Sequence, residues 1–353
     1  MSDSLKTVLS TLFLFIPFIL LFFLINLSER WRTPDDPAKG KEMGIVCYVL
    51  IVMGYTATFF IGLIFHVFSQ KWGRIFATVF KSAGLSSGSP LLLIHKMEWI
   101  GMGMWIPSLA GILLLIPAVR RLLARLMPLD PVSRVHAVAL SLSMIVFMYI
   151  LTTIGIGLDV ISESEGGATT EMTLAGLWTQ DLLLALLSMI GVGWLSRRSF
   201  RETLTRLGIV KPSGRQVLIG LGTALGLVAM ETVVEFATRA TQVGTDPNVD
   251  ALTEKLLGPL FTSVPGILTL GLAAALGEET LFRGALLPRF GLFYSSVLFA
   301  LVHANYGFSI ATLIVFAVGL CLGWIRKRHG TVTSMLVHAT YNITLGILMS
   351  LTS

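Results

Sequence analysis

Glu278 and Glu279 stand side by side in Gly277-Glu278-Glu279-Thr280-Leu281-Phe282-Arg283-Gly284, with Arg283 four residues beyond Glu279. Downstream come Phe299-Ala300-Leu301-Val302-His303 and then His338-Ala339-Thr340-Tyr341-Asn342. A carboxylate can take a proton from water, and an imidazole can orient that water or share the proton. Imidazole and amide N–H groups can hold the negative oxygen that forms when water attacks a carbonyl. Together these residue types support hydrolysis, above all of an amide. Their setting sharpens the reading, because all three groups interrupt apolar sequence; Pro265 to Leu276 carries no charge at all. An ionisable group at the centre of a membrane helix costs at least ~2.5–3.5 kcal/mol, and such residues mark function by default.

Helical spacing sorts the groups. His338 and Asn342 share a face, as do Phe299 and His303. Glu279 precedes Arg283 in the orientation that favours an ion pair. Glu278 is turned ~100° from Glu279, so the two carboxylates need not share a task. In the expected division of labour, Glu279 and Arg283 neutralise each other. Glu278 faces His303 and a water molecule as general base, Phe299 forms a packing shelf, and His338 with Asn342 stabilises the oxyanion. Depth supports convergence. At ~1.5 Å per residue, Glu278 lies ~15 Å from Pro288, His303 ~20 Å from Phe290 and His338 ~12 Å from Gly330.

The elements that must hold these groups are membrane helices. The chain has 353 residues, of which 54% are hydrophobic and 13% charged, against ~25% charged in a soluble domain. Apolar windows fall near 8–27, 43–68, 99–118, 136–158, 174–196, 215–237, 259–286, 290–306, 308–325 and 331–351. A spanning helix needs ~20 residues. The fold class is therefore all-α, a polytopic transmembrane helical bundle of about ten spans, with 75–94 as a re-entrant or interfacial helix. The first window reads as a retained helix rather than a cleaved signal, since it lacks a strongly basic start and a small-residue cleavage site. Cys47 and Cys321 read as packing residues, and His66, His95 and His136 as facing the interface. The net charge of +6 reflects basic loops, not nucleic-acid binding. Arg120, Arg121, Arg125 and Arg134, then Arg197 to Arg215, then Arg326 to Arg328 should be cytoplasmic under the positive-inside rule. The loop with Asp159, Glu163, Glu165 and Glu171, and that from Asp246 to Asp250, then fall outside. The site lies nearer the cytoplasmic side. Glu231, Glu235 and Arg239 form a further ladder, with Glu235 and Arg239 as a structural pair and Glu231 able to reach the cluster or Arg283.

The ordered motifs E-E-x-x-x-R, F-x-x-x-H and H-x-x-x-N resemble the CPBP family of intramembrane proteases, which includes the CAAX prenyl endopeptidases and bacterial Abi-type proteins. The resemblance covers roughly 249–351. It implies an intramembrane endopeptidase in which Glu278 and His303 activate water and His338 and Asn342 form the oxyanion hole, with Glu279, Arg283 and Phe299 in support. The polar linker Arg197–Arg215 reads as the internal boundary, dividing an accessory membrane bundle over 1–206 from a CAAX-protease-like catalytic membrane domain over 207–353. The family has been described both as metal-dependent and as glutamate-dependent. Glu278, His303 and His338 form a possible zinc set, but no H-E-x-x-H is present and the glutamate-dependent reading, without a cofactor, is favoured. The implied partner is a membrane-associated or lipidated peptide or membrane-protein substrate in the lipid bilayer of a prokaryotic inner membrane; the oligomeric state stays open. The rival readings are a non-enzymatic partner, such as a bacteriocin-immunity or scaffold protein, and an ion-coupled transporter.

Overall fold

The structure, a computed structural model, describes residues 2–33, 35–36, 38–82, 89–163, 169–241, 244 and 246–352. Glu165, the 83–88 stretch and the side chain of His95 lie outside the described residues. The helices are α1 (Asp3–Trp31), α2 (Lys41–Ser82), α3 (Ser89–Leu114), α4 (Pro117–Leu123), α5 (Arg134–Leu142), α6 (Met144–Ile156), α7 (Leu158–Glu163) and α8 (Thr170–Gly191). They continue with α9 (Phe200–Leu207), α10 (Gly214–Thr241), α11 (Pro247–Phe261), α12 (Val264–Glu278), a π-helical segment (Glu279–Leu286), α13 (Leu287–Leu301), a 3-10 turn (Ala304–Tyr306), α14 (Ile310–His329) and α15 (Thr331–Thr352). Among the described residues nine helical stretches are long and apolar enough to cross a membrane. The chain is an integral membrane protein, a polytopic bundle of helices.

The windows 259–286 and 290–306 are not two independent spans. They form one candidate span, Val264–Leu301, and Gly291 breaks it with φ 83° and ψ 172°. That left-handed backbone suits glycine, which carries no Cβ to clash. Leu292 to Leu301 has ten residues, or ~15 Å of helix, too short to cross alone. It runs back beside the π segment instead, so that Phe299 meets Phe282 edge to face at 5.4 Å. Then α14 descends along it. A Cβ at Gly319 would touch Phe299 and Ser296, and one at Gly323 would meet Leu292 and Leu287. Small residues of this kind let membrane helices approach closely. The last helix, α15, runs antiparallel to α12: Ser334 meets Glu279, Ala339 and Ile343 pack on Gly271, and Gly346 lies on Ile267.

The earlier half is joined to this core rather than set apart from it. Helix α8, N-terminal to the expected boundary at 206, packs along both α1 and α12. His136, near the start of α5, is half-buried. Its Nδ1 accepts from the Asp130 backbone N–H at 3.0 Å, and its ring lies 6.0 Å from Phe290, at the kink of this hairpin. Several basic loop residues close helix ends. Arg120 is buried and donates to the Leu114 and Leu115 carbonyls, which α3 would otherwise leave unpaired at its C-terminus. Both cysteines are free thiols, Cys47 buried and Cys321 half-buried.

Candidate active site

The π-helical segment carries the first motif. Single π turns inside α-helices occur often at functional sites, and this one holds Glu279 and Arg283 at 0% and 1% side-chain exposure. Their ion pair measures 2.8 Å. Glu279 is then fully engaged: its Oε1 also accepts from His338 Nδ1 at 3.0 Å, and its Oε2 accepts from the Ser334 hydroxyl at 2.5 Å. A carboxylate desolvated this completely persists only when charge and hydrogen bonds satisfy both oxygens. Its partners come from α15, so Glu279 ties the first motif to the third.

Phe299 ties in the second. The Arg283 guanidinium lies over its ring at 4.0 Å, a cation–π contact in a desolvated setting. Both histidine rings meet the same phenyl edge to face, His303 at 5.2 Å and His338 at 5.9 Å. One aromatic ring thus positions two imidazoles and an arginine from three separate elements. His303 Nδ1 donates to the Phe299 carbonyl at 2.9 Å, and a carbonyl can only accept. The neutral ring therefore presents Nε2 as a bare acceptor. Tyr306 stacks flat on His303, at 6.0 Å and 6°. Burial, followed by the charge of Glu231, pushes the Tyr306 phenol up to about 12, and the Glu278 charge acts in the same direction. Glu278 accordingly lies within electrostatic range of the tyrosine that shelves His303, and of Arg283.

Glu278 is half-buried, and its Oε2 has no hydrogen-bond partner among the described residues. Asn342, one turn beyond His338, donates from Nδ2 to the Leu270 carbonyl at 3.2 Å and keeps a second amide hydrogen. Glu231 goes to neither the histidines nor Arg283; its carboxylate accepts from the Tyr341 hydroxyl. Glu235 and Arg239 form the exposed pair expected of them, at 2.6 Å.

Sequence reading missed Asp181. It sits on α8 at 1% exposure, with Oδ1 unpartnered among the described residues and within electrostatic range of Glu278. Gly277 makes room for it, since a Cβ there would come 2.3 Å from Asp181 Oδ1. The available signal was a lone acidic residue inside the apolar run from Met172 to Gly191. Among the described residues, no group of three or more His, Cys, Asp or Glu side chains is placed to hold a metal ion.

Fold and site define a membrane-embedded helical protein with a buried carboxylate–histidine cluster. Residues 260–344 match the family model described as type II CAAX prenyl endopeptidase Rce1-like, so the C-terminal part of the chain is similar to that family. A segment of 67 residues is 40% identical to the uncharacterized protein YpbD of Bacillus subtilis (strain 168). That alignment covers 18% of this chain and 35% of YpbD, so the chain spans about a third of the curated relative it matches. No solved structure matches.

Proposed function

We propose that the protein is a glutamate-dependent intramembrane endopeptidase acting on a membrane-associated or lipidated peptide or protein. The observation that carries this reading is the convergence on Phe299 of Arg283, His303 and His338. Glu278, with one oxygen uncommitted, lies within range of that assembly.

Water held between Glu278 and His303 Nε2 loses a proton to Glu278 as its oxygen attacks the scissile carbonyl carbon. The tetrahedral intermediate places its negative oxygen against His338 Nε2–H and the free Asn342 amide hydrogen. The His338 form that does this carries both ring protons, one donated to Glu279 and one to the oxyanion. Collapse breaks the C–N bond, and the proton on Glu278 passes to the departing nitrogen, giving a carboxylic acid and an amine. Glu279 and Arg283 touch no reacting atom in this scheme; they orient His338 and Phe299. Asp181 is a positioning residue beside Glu278.

The domain works in the inner membrane of a prokaryote, with the site nearer the cytoplasmic face, where the basic loops lie. The 1–206 region is its accessory bundle, contributing Asp181 through α8. The test uses purified protein in proteoliposomes and quenched fluorescent peptides, some lipidated, comparing wild type with Glu278→Ala at equal incorporation. Cleavage should vanish in the variant. Undiminished cleavage would sink the mechanism, and a biological phenotype that survives Glu278→Ala would favour the non-enzymatic partner.

A further inference from the structure

At the basic end of the bundle, the segment after α8 reads Gly193-Trp194-Leu195-Ser196-Arg197-Arg198-Ser199. It winds around one carbonyl. Gly193 O accepts from the backbone N–H groups of Ser196, Arg197 and Arg198 at 3.3, 3.0 and 2.9 Å. The winding forces Leu195 to φ 62°, a left-handed conformation that is strained for a residue with a Cβ and persists only where the surroundings impose it. Its result is to set Arg197 and Arg198 side by side. With Arg30 from the end of α1, and with Leu195, Ser196 and Ser199, they line an open surface pocket of about 380 Å³.

The charge in this pocket is not balanced. Arg206 stands within electrostatic range of Arg197, and so does Arg289; Arg326 stands within range of Arg206. Burial, and then Arg198 beside it, hold the Arg197 guanidinium down to about 10. Its Nε is buried without a hydrogen-bond partner among the described residues. Two carboxylates are near, and each has other work. Glu29 lies 3.5 Å from Arg32, and Glu202 is bound by Ser199 in the capping box of α9. Guanidinium groups that outnumber the carboxylates within range, Glu29 for Arg197 and Glu202 for Arg198, are unfavourable in a partly desolvated site, and an anion relieves them. Planar guanidinium forks suit phosphate oxygens in particular. Beside the arginines lies an apolar lip: Leu195 is 63% and Phe200 55% exposed, with Trp194 edge-on to Phe200. Cationic and apolar surfaces meeting at a bundle end match a phosphate group that carries an acyl tail.

We propose that the Arg30–Arg197–Arg198 pocket binds a phosphate ester anion at the lipid–water boundary and thereby braces the motif helix. The mechanical link is short. Arg206 donates to the Gly284 carbonyl at 3.4 Å, one residue past Arg283. Thr331 closes the same segment from the start of α15, its hydroxyl donating to the Leu207 carbonyl at 2.5 Å and its N–H to the Gly208 carbonyl at 3.0 Å. Because its readout is binding, the proposal stands or falls apart from the reaction assigned above.

The experiment takes the full chain in detergent and titrates it with phosphatidylglycerol, phosphatidylcholine or inorganic phosphate. Native mass spectrometry and the thermal unfolding midpoint report binding. Phosphatidylglycerol should be retained and raise the midpoint, with phosphatidylcholine weaker. Arg197→Gln/Arg198→Gln should lose at least about tenfold in affinity, as expected for losing charge-assisted hydrogen bonds. Arg121→Gln, an exposed arginine on α4, should bind as wild type. Inorganic phosphate that reproduces the midpoint shift by itself would assign the site to soluble phosphate esters; a shift confined to phosphatidylglycerol assigns it to lipid. If the double variant fails to fold, Arg197→Lys keeps the charge, loses the fork and should weaken binding several-fold. Equal binding by wild type and the variants, or no response to either anion, would overturn the proposal.

Discussion

Glu279→Gln tests the buried ion pair, read through stability because Glu279 also holds His338. The substitution keeps size and shape but removes the charge facing Arg283 at 2.8 Å, where both side chains are essentially inaccessible. Breaking one side of a buried pair costs ~3–5 kcal/mol, because the remaining charge is left uncompensated. Arg283 retains its contact over Phe299 at 4.0 Å and a hydrogen bond to the Gly319 carbonyl at 3.3 Å, so the lower end, ~3 kcal/mol, is expected. That is on the order of a hundredfold in the folding equilibrium. The double variant Glu279→Gln/Arg283→Met removes both charges and keeps much of the volume, and should recover most of the loss, to within ~1 kcal/mol of wild type. Equilibrium unfolding in mixed micelles, analysed as a double-mutant cycle, measures the coupling directly. A single variant within ~0.5 kcal/mol of wild type, or a double variant whose loss is the sum of the singles, would refute the claim that this pair holds the π segment together.

Three further outcomes follow from the same geometry. Gly277→Ala drives a methyl group to 2.3 Å from Asp181 Oδ1; it should cost ~1–3 kcal/mol by overpacking and lower turnover, and a crystal or cryo-EM structure should show the Asp181 carboxylate displaced. Phe299→Leu removes the ring shared by Arg283, His303 and His338; peptide cleavage should fall at least ~10²-fold, as when reacting groups lose alignment, while the folded yield stays measurable. If Glu278 alone activates the water, a strong chelator should leave cleavage unchanged; activity lost to the chelator and restored by added metal would overturn the glutamate-dependent assignment.

Much of the site is legible without coordinates because its key pairings are local or lie on single helices. Glu279 and Arg283 stand four apart and pair; Phe299 and His303 stand four apart, and the histidine ring nitrogen returns to the Phe299 carbonyl. Charge inside apolar windows was visible for a related reason, since ionisable residues are too costly in hydrocarbon to occur there by neglect. Most of the nine candidate spans found among the described residues were also legible in composition, because backbone polar groups in lipid must be satisfied within each helix.

Partner choice between helices was decided only by the tertiary structure. Ser334 and His338 converge on Glu279 from α15; Asp181 reaches Gly277 from α8; His136 abuts Phe290 at the kink. The reversal at Gly291 turned what reads as two spans into one folded hairpin, a matter of one residue's backbone angle inside a run whose hydropathy hardly changes. Hydropathy reports that a face avoids water. Lipid tails are as apolar as leucine, so the same pattern serves a face turned to lipid and a face turned to another helix. What separates the two is the close fit of small residues and the satisfaction of buried polar groups across the interface, and both depend on positions far apart in the chain.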